Sequence, residues 1–226
     1  LIPVGHVEAG LRSFDRTMPE EINRLMTDQA ADLLFTPSPD GDANLLREGV
    51  SPDAIHHVGN VMIDTLVRLL PQAHLPQIEA LDQRYALVTL HRPSNVDDEV
   101  MLRRLIATLQ EVSQELQVVF PIHPRTRARL QSFDLAMAND DRFLLLDPLG
   151  YLEFLALQRQ AALVITDSGG GQEESTYLRV PCLTARENTE RPVTVEEGTN
   201  VLVGQDMERL RAEVDRILAG TFKTGT

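Results

Sequence analysis

The stretch richest in chemical possibility is Thr166-Asp-Ser-Gly-Gly-Gly-Gln-Glu-Glu174, where three consecutive glycines separate an apolar run from a pair of acids. Glycine lets a backbone approach a ligand with no Cβ in the way, and the free N–H groups at a helix start attract an anion. Ser168 adds a hydroxyl. No Lys-Ser/Thr follows the glycines and their spacing is not G-x-G-x-x-G, so the segment is neither a P-loop nor a dinucleotide fingerprint. The same residues also suit an ordinary strand-to-helix turn with Ser168 as N-cap. Glu173 and Glu174 fit the positive end of the helix dipole, and one of them could equally take ribose hydroxyls.

Three further clusters carry acid, base or cationic groups. In Thr89-Leu-His-Arg-Pro-Ser-Asn-Val96, His91 and Arg92 leave the end of an apolar run, where an imidazole can exchange protons near neutral pH. A plain surface-loop histidine fits the same position, and His123, before Pro124, suits a structural turn better. The pair His6-Val-Glu-Ala-Gly-Leu-Arg12 and Pro19-Glu-Glu-Ile-Asn-Arg24 gathers carboxylates beside arginines. Glu8 points out at a strand end, while Glu20 and Arg24, four apart, share a helix face. Carboxylates poised by neighbours suit proton transfer at carbon. A simple surface ion pair between Glu20 and Arg24, contributing about 0.3–0.5 kcal/mol, is the plainer reading. Last, Arg186-Glu-Asn-Thr-Glu-Arg-Pro-Val193 reads as ligand contact or as a solvated loop.

Positioning these groups requires strands that end where they begin. Leu1 to Val7 reads as a buried strand, and Pro19 opens a helix continued by Ile22, Leu25, Met26 and Gln29. A strand at Leu33 to Thr36, a helix over 41–49, a strand at Ile55 to Val58 and a helix from Val61 to Leu70 follow. A Pro-punctuated linker spans residues 71–84. Then come strand 86–90, helix 97–116, strand 118–122, helix 125–131, strand 143–146, helix 151–159, strand 162–166, helix 171–178, strands 181–183 and 201–203, and helix 207–219. This alternation predicts an α/β fold with a doubly wound parallel sheet, in which ligands sit at the carboxyl ends of strands. The expected organisation is residues 1–70 as the tail of one Rossmann-like domain, 71–84 as linker and 85–226 as a second, nucleotide-binding one.

Composition narrows the partners. The 226 residues carry a formal net charge of −13, which disfavours nucleic acid and anionic membranes and leaves any bound phosphate to local arginines or helix N-termini. A single cysteine, Cys182, excludes an internal disulfide framework and points to a reducing compartment, so a cytoplasmic location is expected. No apolar run is long enough for a membrane span. Histidines are too scattered for a metal site, and no cofactor is expected. The abrupt first and last residues suggest that both ends of a longer protein are missing.

Taken together, the segments HVEAGLR, PEEINR, TLHRPSNVD, TDSGGGQEE and TERPVTVEEGTN resemble the non-hydrolysing UDP-N-acetylglucosamine 2-epimerase family, in order and over nearly the whole chain. The resemblance implies two Rossmann-like domains of the GT-B type, as in two-domain glycosyltransferases, with the site between them. It implies that Ser168, Gly169 and Gly170 hold a diphosphate and Glu174 a ribose. Arg191 would lie near the nucleotide and Phe154 near the uracil, with Arg12 and Arg24 also among the substrate contacts. Glu8, Glu20 and His91 match the catalytic groups. The implied reaction interconverts UDP-GlcNAc and UDP-ManNAc through elimination of UDP, in a homodimer serving cell-envelope polysaccharide synthesis. Against the family pattern, most of the first domain, one of its acidic catalytic groups and the closing segment are not present, and Gly171 replaces a more usual apolar residue. The chain alone is therefore expected to bind UDP weakly and turn over little. Alternatives are a UDP-sugar glycosyltransferase of the same fold, a hydrolysing epimerase, or a non-catalytic UDP-sugar-binding fragment.

Overall fold

A computed structural model describes residues 2–79, 81, 84–137 and 139–225. Leu1, three positions of the expected linker (80, 82 and 83) and the final residue of the expected second domain lie outside the described residues.

Two parallel sheets organise the chain. The first contains β1 (Gly5–Val7), β2 (Leu33–Thr36) and β3 (Ile55–His57) in the order β1-β2-β3. Around it run α1 (Pro19–Ala30), α2 (Pro39–Arg47) and α3 (Val61–Leu69). Ala9, Leu34 and Leu45 form its small core. The expected buried strand at the start is instead the three-residue β1, with Val7 and the preceding Val4 half exposed, because among the described residues β2 is the one strand beside it. Helix α1 also departs from expectation. It turns Glu21 and Asp28 inward and leaves Ile22 and Met26 exposed, because those carboxylates meet arginines, a histidine and loop N–H groups.

The second sheet is built from β4 (Tyr85–Thr89), β5 (Gln117–Pro121), β6 (Phe143–Leu146), β7 (Leu163–Thr166), β8 (Cys182–Thr184) and β9 (Asn200–Leu202). Their spatial order is β6-β5-β4-β7-β8-β9, all parallel. Parallel strands covered on both faces read as unbroken apolar runs, and β4 shows why. Ala86 and Val88 point into the larger core with Leu105, Leu109, Phe120 and Leu210, while Tyr85 and Leu87 point the other way to meet Val119 and Leu157. The Tyr85 hydroxyl is buried but donates to the Leu157 carbonyl at 2.8 Å, which removes the cost of burying it.

The connecting helices are α4 (Pro93–Val96), α5 (Glu99–Val112), α6 (Pro124–Ser132), α7 (Tyr151–Gln160), α8 (Gly169–Leu178), α9 (Pro192–Glu196) and α10 (Met207–Leu218). The helix expected over 97–116 is shorter and preceded by the separate turn α4. Asp98 caps α5 by accepting from the Met101 N–H at 2.7 Å, which fixes its start beyond the Arg92-Pro93 turn. The expected linker is partly anchored: Leu70–Gln72 form a 3-10 turn, and Ile78 and Leu81 pack against the smaller core face. No helix among the described residues is long and apolar enough to cross a membrane.

Candidate functional site

The strand order of the large sheet has one reversal. From β4 the chain winds outward through β5 and β6, then returns to β7 and winds the other way through β8 and β9. Loops leaving β4 and β7 therefore diverge, opening a crevice beyond their carboxyl ends, which is where open α/β sheets bind ligands. Those ends are Thr89–Leu90–His91 and Thr166–Asp167–Ser168, so topology alone brings two of the four chemical segments together.

Asp167 joins them. Its side chain is fully buried, and Oδ2 accepts from the N–H groups of His91 (3.0 Å) and Arg92 (2.8 Å) and from Asn95 Nδ2 (3.0 Å). Oδ1 lies 3.0 Å from His91 Nδ1. Burial alone would raise the Asp167 pKa, but the hydrogen bond and charge of His91, the Arg92 N–H and Asn95 together hold it below the ordinary carboxylate value. His91 is thus pinned from behind and partly exposed in front, with the His123 ring 5.2 Å away. Burial and the neighbouring charge of His91 hold His123 below its usual value, and its Nδ1 caps α6 by accepting from the Arg125 N–H. That is the structural turn expected of it.

The glycine turn starts α8 two residues earlier than expected, at Gly169. Ser168 is the N-cap, its Oγ accepting from the Gly171 N–H at 3.4 Å. The amides of Gly169 and Gly170 have no carbonyl within the helix to bond, as in any first helical turn. Space explains the first glycine: a Cβ at Gly169 would stand 2.9 Å from Glu190 Oε1 and 3.3 Å from Arg191 Nη1. Deeper in α8, Glu174 is buried and accepts from the Tyr151 hydroxyl at 2.9 Å. Burial pushes the Glu174 carboxyl up, against the pull of Tyr151 and Gln158. Phe154, on the same helix as Tyr151, packs against the smaller core face.

The segment 186–193 is not a solvated loop. Arg186 and Glu190 are buried and paired at 2.7 Å. Thr189 donates to Gln172 Oε1 at 2.7 Å and accepts from the Arg191 N–H, which fastens the loop to α8. Arg191 meets three carboxylates: Glu173 at 2.6 Å, Glu190 at 3.0 Å and Glu8 at 3.4 Å. Burial would lower the guanidinium pKa, but these acids raise it. Glu173 is pushed up, first by burial and then by Glu8 and Glu190, against the attraction of Arg191. It also accepts from Asn60 Nδ2 at 2.8 Å, a contact from the N-cap of α3 to α8. A cleft of about 290 Å3 lies here, lined by Leu11, Asn60, Ile63, Tyr177, Glu173 and Arg191 among others.

From the small sheet, Glu8 follows β1 with φ of 68°, a left-handed backbone unusual for a residue with a side chain. Gly10 has φ of 80° and passes so close to Gly41 that a Cβ would sit 2.4 Å from the Gly41 carbonyl oxygen. Glu20 is exposed at the start of α1 and near enough to Arg92 for its charge to favour that guanidinium. Burial and Arg186 outweigh it, and the Arg92 pKa is lowered.

Two of the expected substrate contacts are placed differently. Arg12 is buried and fully engaged: Nη1 lies 2.7 Å from Asp28 Oδ2, while Nε and Nη2 hold both oxygens of Glu48 at 2.8 and 2.7 Å. Asp28 also holds His6 Nδ1 at 2.5 Å and accepts from the Gly10 N–H. Arg12 thus builds the turn that aims Glu8, and its donors face inward. Arg24 pairs with Glu21 at 3.4 Å, and its Nε donates to the Glu20 carbonyl, so the Glu20–Arg24 side-chain pair is replaced by a Glu21–Arg24 one. Glu21 in turn accepts from Ser13 N–H and Oγ and from Phe14 N–H. Among the described residues, no group of three or more His, Cys, Asp or Glu could hold a metal ion.

Two parallel sheets flanked by helices, with a glycine turn opening a helix at a strand end, give the chain the α/β architecture of GT-B-type proteins. Within that class it belongs to the UDP-N-acetylglucosamine 2-epimerase family, whose sequence profile matches residues 1–224. It is 45% identical over 228 residues to the UDP-N-acetylglucosamine 2-epimerase of Methanocaldococcus jannaschii, an alignment covering 96% of this chain and 62% of that protein. The enzyme of the same name from Methanococcus maripaludis is 43% identical with the same coverage. Among solved structures, the M. jannaschii UDP-GlcNAc 2-epimerase in complex with UDP-GlcNAc and UDP superposes with a TM-score of 0.89 at 43% identity, over 99% of this chain and 65% of that one. The chain spans about 62% of the length of the curated relatives it matches.

Proposed function

We propose that the enzyme to which this chain corresponds interconverts UDP-GlcNAc and UDP-ManNAc. The observation that carries this reading is the meeting of Glu8 with Arg191 beside the glycine turn and His91, within a chain of this family. In the forward direction a base takes the C2 proton and the C1–O bond to the diphosphate breaks, giving 2-acetamidoglucal and UDP. In the return step the UDP oxygen re-forms the bond to C1 and a proton reaches C2 from the opposite face.

The C2 proton is weakly acidic, so the departing diphosphate must be stabilised as charge develops on it. The amides of Gly169 and Gly170 and the Ser168 hydroxyl are the proposed donors, at a helix N-terminus that favours anions. Arg191 adds positive charge, and His91 stabilises the leaving oxygen from the β4 side. Glu8 and Glu20 are the proposed proton handlers. Glu174 takes the ribose and Phe154 lies near the uracil. Arg24 completes the substrate contacts through the placement of Glu20, and the inward-facing Arg12 acts through Glu8.

The same reading assigns residues 1–70 to the end of one Rossmann-like domain and 85–226 to the second, joined by 71–84, a division supported by two sheets of unlike strand order. It also makes the intact enzyme a cytoplasmic homodimer in cell-envelope polysaccharide synthesis. The test is incubation of the full-length enzyme with UDP-GlcNAc in D2O, followed by proton NMR. Deuterium at C2 with a second UDP-sugar anomeric signal is the expected result. No exchange and no new signal would remove the reading, and unaltered turnover in Glu8→Gln and Glu20→Gln would remove the residue assignment.

A further inference from the structure

Asp167 belongs to the glycine-turn segment by sequence, yet none of its oxygens faces the crevice. Oδ2 carries three donors, the N–H groups of His91 and Arg92 and the amide of Asn95. Asn95 is itself fixed by donating to the Ala185 carbonyl at 2.9 Å, so the carboxylate cannot rotate without breaking a buried network. Oδ1 takes a longer share of the His91 N–H at 3.2 Å and faces His91 Nδ1 at 3.0 Å. A carboxylate oxygen in a dry site only accepts hydrogen bonds, so the ring nitrogen beside it must carry a proton.

We propose that Asp167 is a positioning residue that sets the tautomer of His91, holding the proton on Nδ1 and presenting Nε2 to the crevice. Neutral His91 then shows a lone pair at Nε2, and protonated His91 shows an Nε2–H donor. A leaving-group role, on the reading given above, needs the second form, and the fixed Nδ1–H makes Nε2 the sole site of proton exchange. The other groups around the ring are the His123 imidazole at 5.2 Å and the Arg92 guanidinium on its own loop. His123 Nδ1 is already engaged by the Arg125 N–H, and Arg92 Nε donates to the Asp167 carbonyl, so the known bonds of both point elsewhere.

Asp167→Asn makes the idea sharp. The amide has one oxygen and one NH2. Three donors converge on the Oδ2 position, so the amide oxygen takes that place and the NH2 takes the place of Oδ1. The NH2 then donates to His91 Nδ1, which must become the acceptor, and the ring proton moves to Nε2. A buried structural carboxylate with no such role predicts no change of tautomer.

The experiment is long-range 1H–15N NMR of the ring nitrogens in this chain, with His91 assigned by comparison with His91→Gln. The expected result is the Nδ1–H tautomer for neutral His91 in the wild-type chain and the Nε2–H tautomer in Asp167→Asn. An Nε2–H tautomer in the wild-type chain overturns the proposal, as does an unchanged tautomer in a folded Asp167→Asn. Should that variant not fold, the wild-type spectrum decides alone. In the full-length enzyme Asp167→Asn should lower kcat by about 100-fold or more with KM little changed, the scale of losing one acid–base contribution. Loss of epimerase activity in the wild-type enzyme would count against the functional reading and leave the tautomer result standing.

Discussion

Glu8 and Arg191, separated by 183 positions, face each other at 3.4 Å across the gap between the two sheets. This is the longest of the three ion pairs that Arg191 makes, and Glu8 is the most exposed of its acidic partners. Arg191 is shared among three carboxylates, of which Glu190 also pairs with Arg186, at the place where a diphosphate is proposed to bind. An incoming diphosphate competes for Arg191 with its weakest partner first, so binding and the freeing of Glu8 are linked.

Glu8→Gln should therefore separate chemistry from stability. A partly exposed pair contributes at most about 1 kcal/mol, so the urea midpoint of the variant should stay close to that of the parent. Turnover of the full-length enzyme should fall by about 100-fold or more if Glu8 handles a proton. A large stability loss with turnover retained would give Glu8 a structural role instead.

Arg12→Ala should do the opposite. Removing a buried guanidinium strands Asp28 and Glu48 and costs on the order of 3–5 kcal/mol, read as a shift of the urea midpoint. Arg12→Lys should recover little, because an ammonium cannot hold both Glu48 oxygens as the fork does. An increase in KM with unchanged stability would instead make Arg12 a substrate contact.

The buried Glu190 should shape the acid limb of stability. Burial alone would raise its pKa, but Arg186 and Arg191 hold it at about 2, against an ordinary 4.5. A carboxylate depressed on folding contributes stability that is present above the unfolded value and lost as pH falls through the folded one. The loss should span pH 4.5 to about 2 and amount to roughly 3 kcal/mol. Glu190→Gln should flatten unfolding free energy across that window, measured by urea denaturation at several pH values. An unchanged slope would mean that the pairing contributes nothing.

Gly169→Ala should act on the anion site more than on the fold. The added Cβ crowds Glu190 Oε1 at 2.9 Å and Arg191 Nη1 at 3.3 Å, atoms held by their own ion pairs. UDP affinity of the full-length enzyme should fall about tenfold by calorimetry, equivalent to the roughly 1.4 kcal/mol that displacing one such contact removes. At Gly170 the nearest atom to an added Cβ is Ser168 Oγ at 4.0 Å, so Gly170→Ala disturbs no ion pair and any loss of UDP affinity there reports the approach of the ligand itself.

Much of this architecture was legible in the residues. Strands buried on both faces, such as Ala86 to Thr89 and Leu163 to Thr166, declare themselves as apolar runs, and Ser168 stands where a cap belongs. The segments that converge on the crevice were all visible as clusters. What the sequence withheld was long-range pairing. Arg12 and Arg191 look alike in a linear reading, yet one is enclosed by Asp28 and Glu48 and the other sits between the sheets. Glu20 and Glu21 are adjacent, and the helix turn alone decides that Glu21 folds the loop at Ser13 while Glu20 stays exposed. Asp167 carried one signal that could have been used, an acid directly after a buried strand and before a glycine turn. Its partners lie 72 to 76 positions away, beyond any local pattern.

The left-handed backbone of Glu8 sets folding and chemistry at odds. A residue with a side chain held at φ of 68° costs about 1 kcal/mol or more that glycine would not incur. Variants at this position scored by melting temperature, solubility or yield would therefore drift toward glycine or asparagine. Given the role proposed for Glu8, such a screen would enrich well-behaved proteins that have lost their catalyst, so a library built on this scaffold needs an activity readout from its first round.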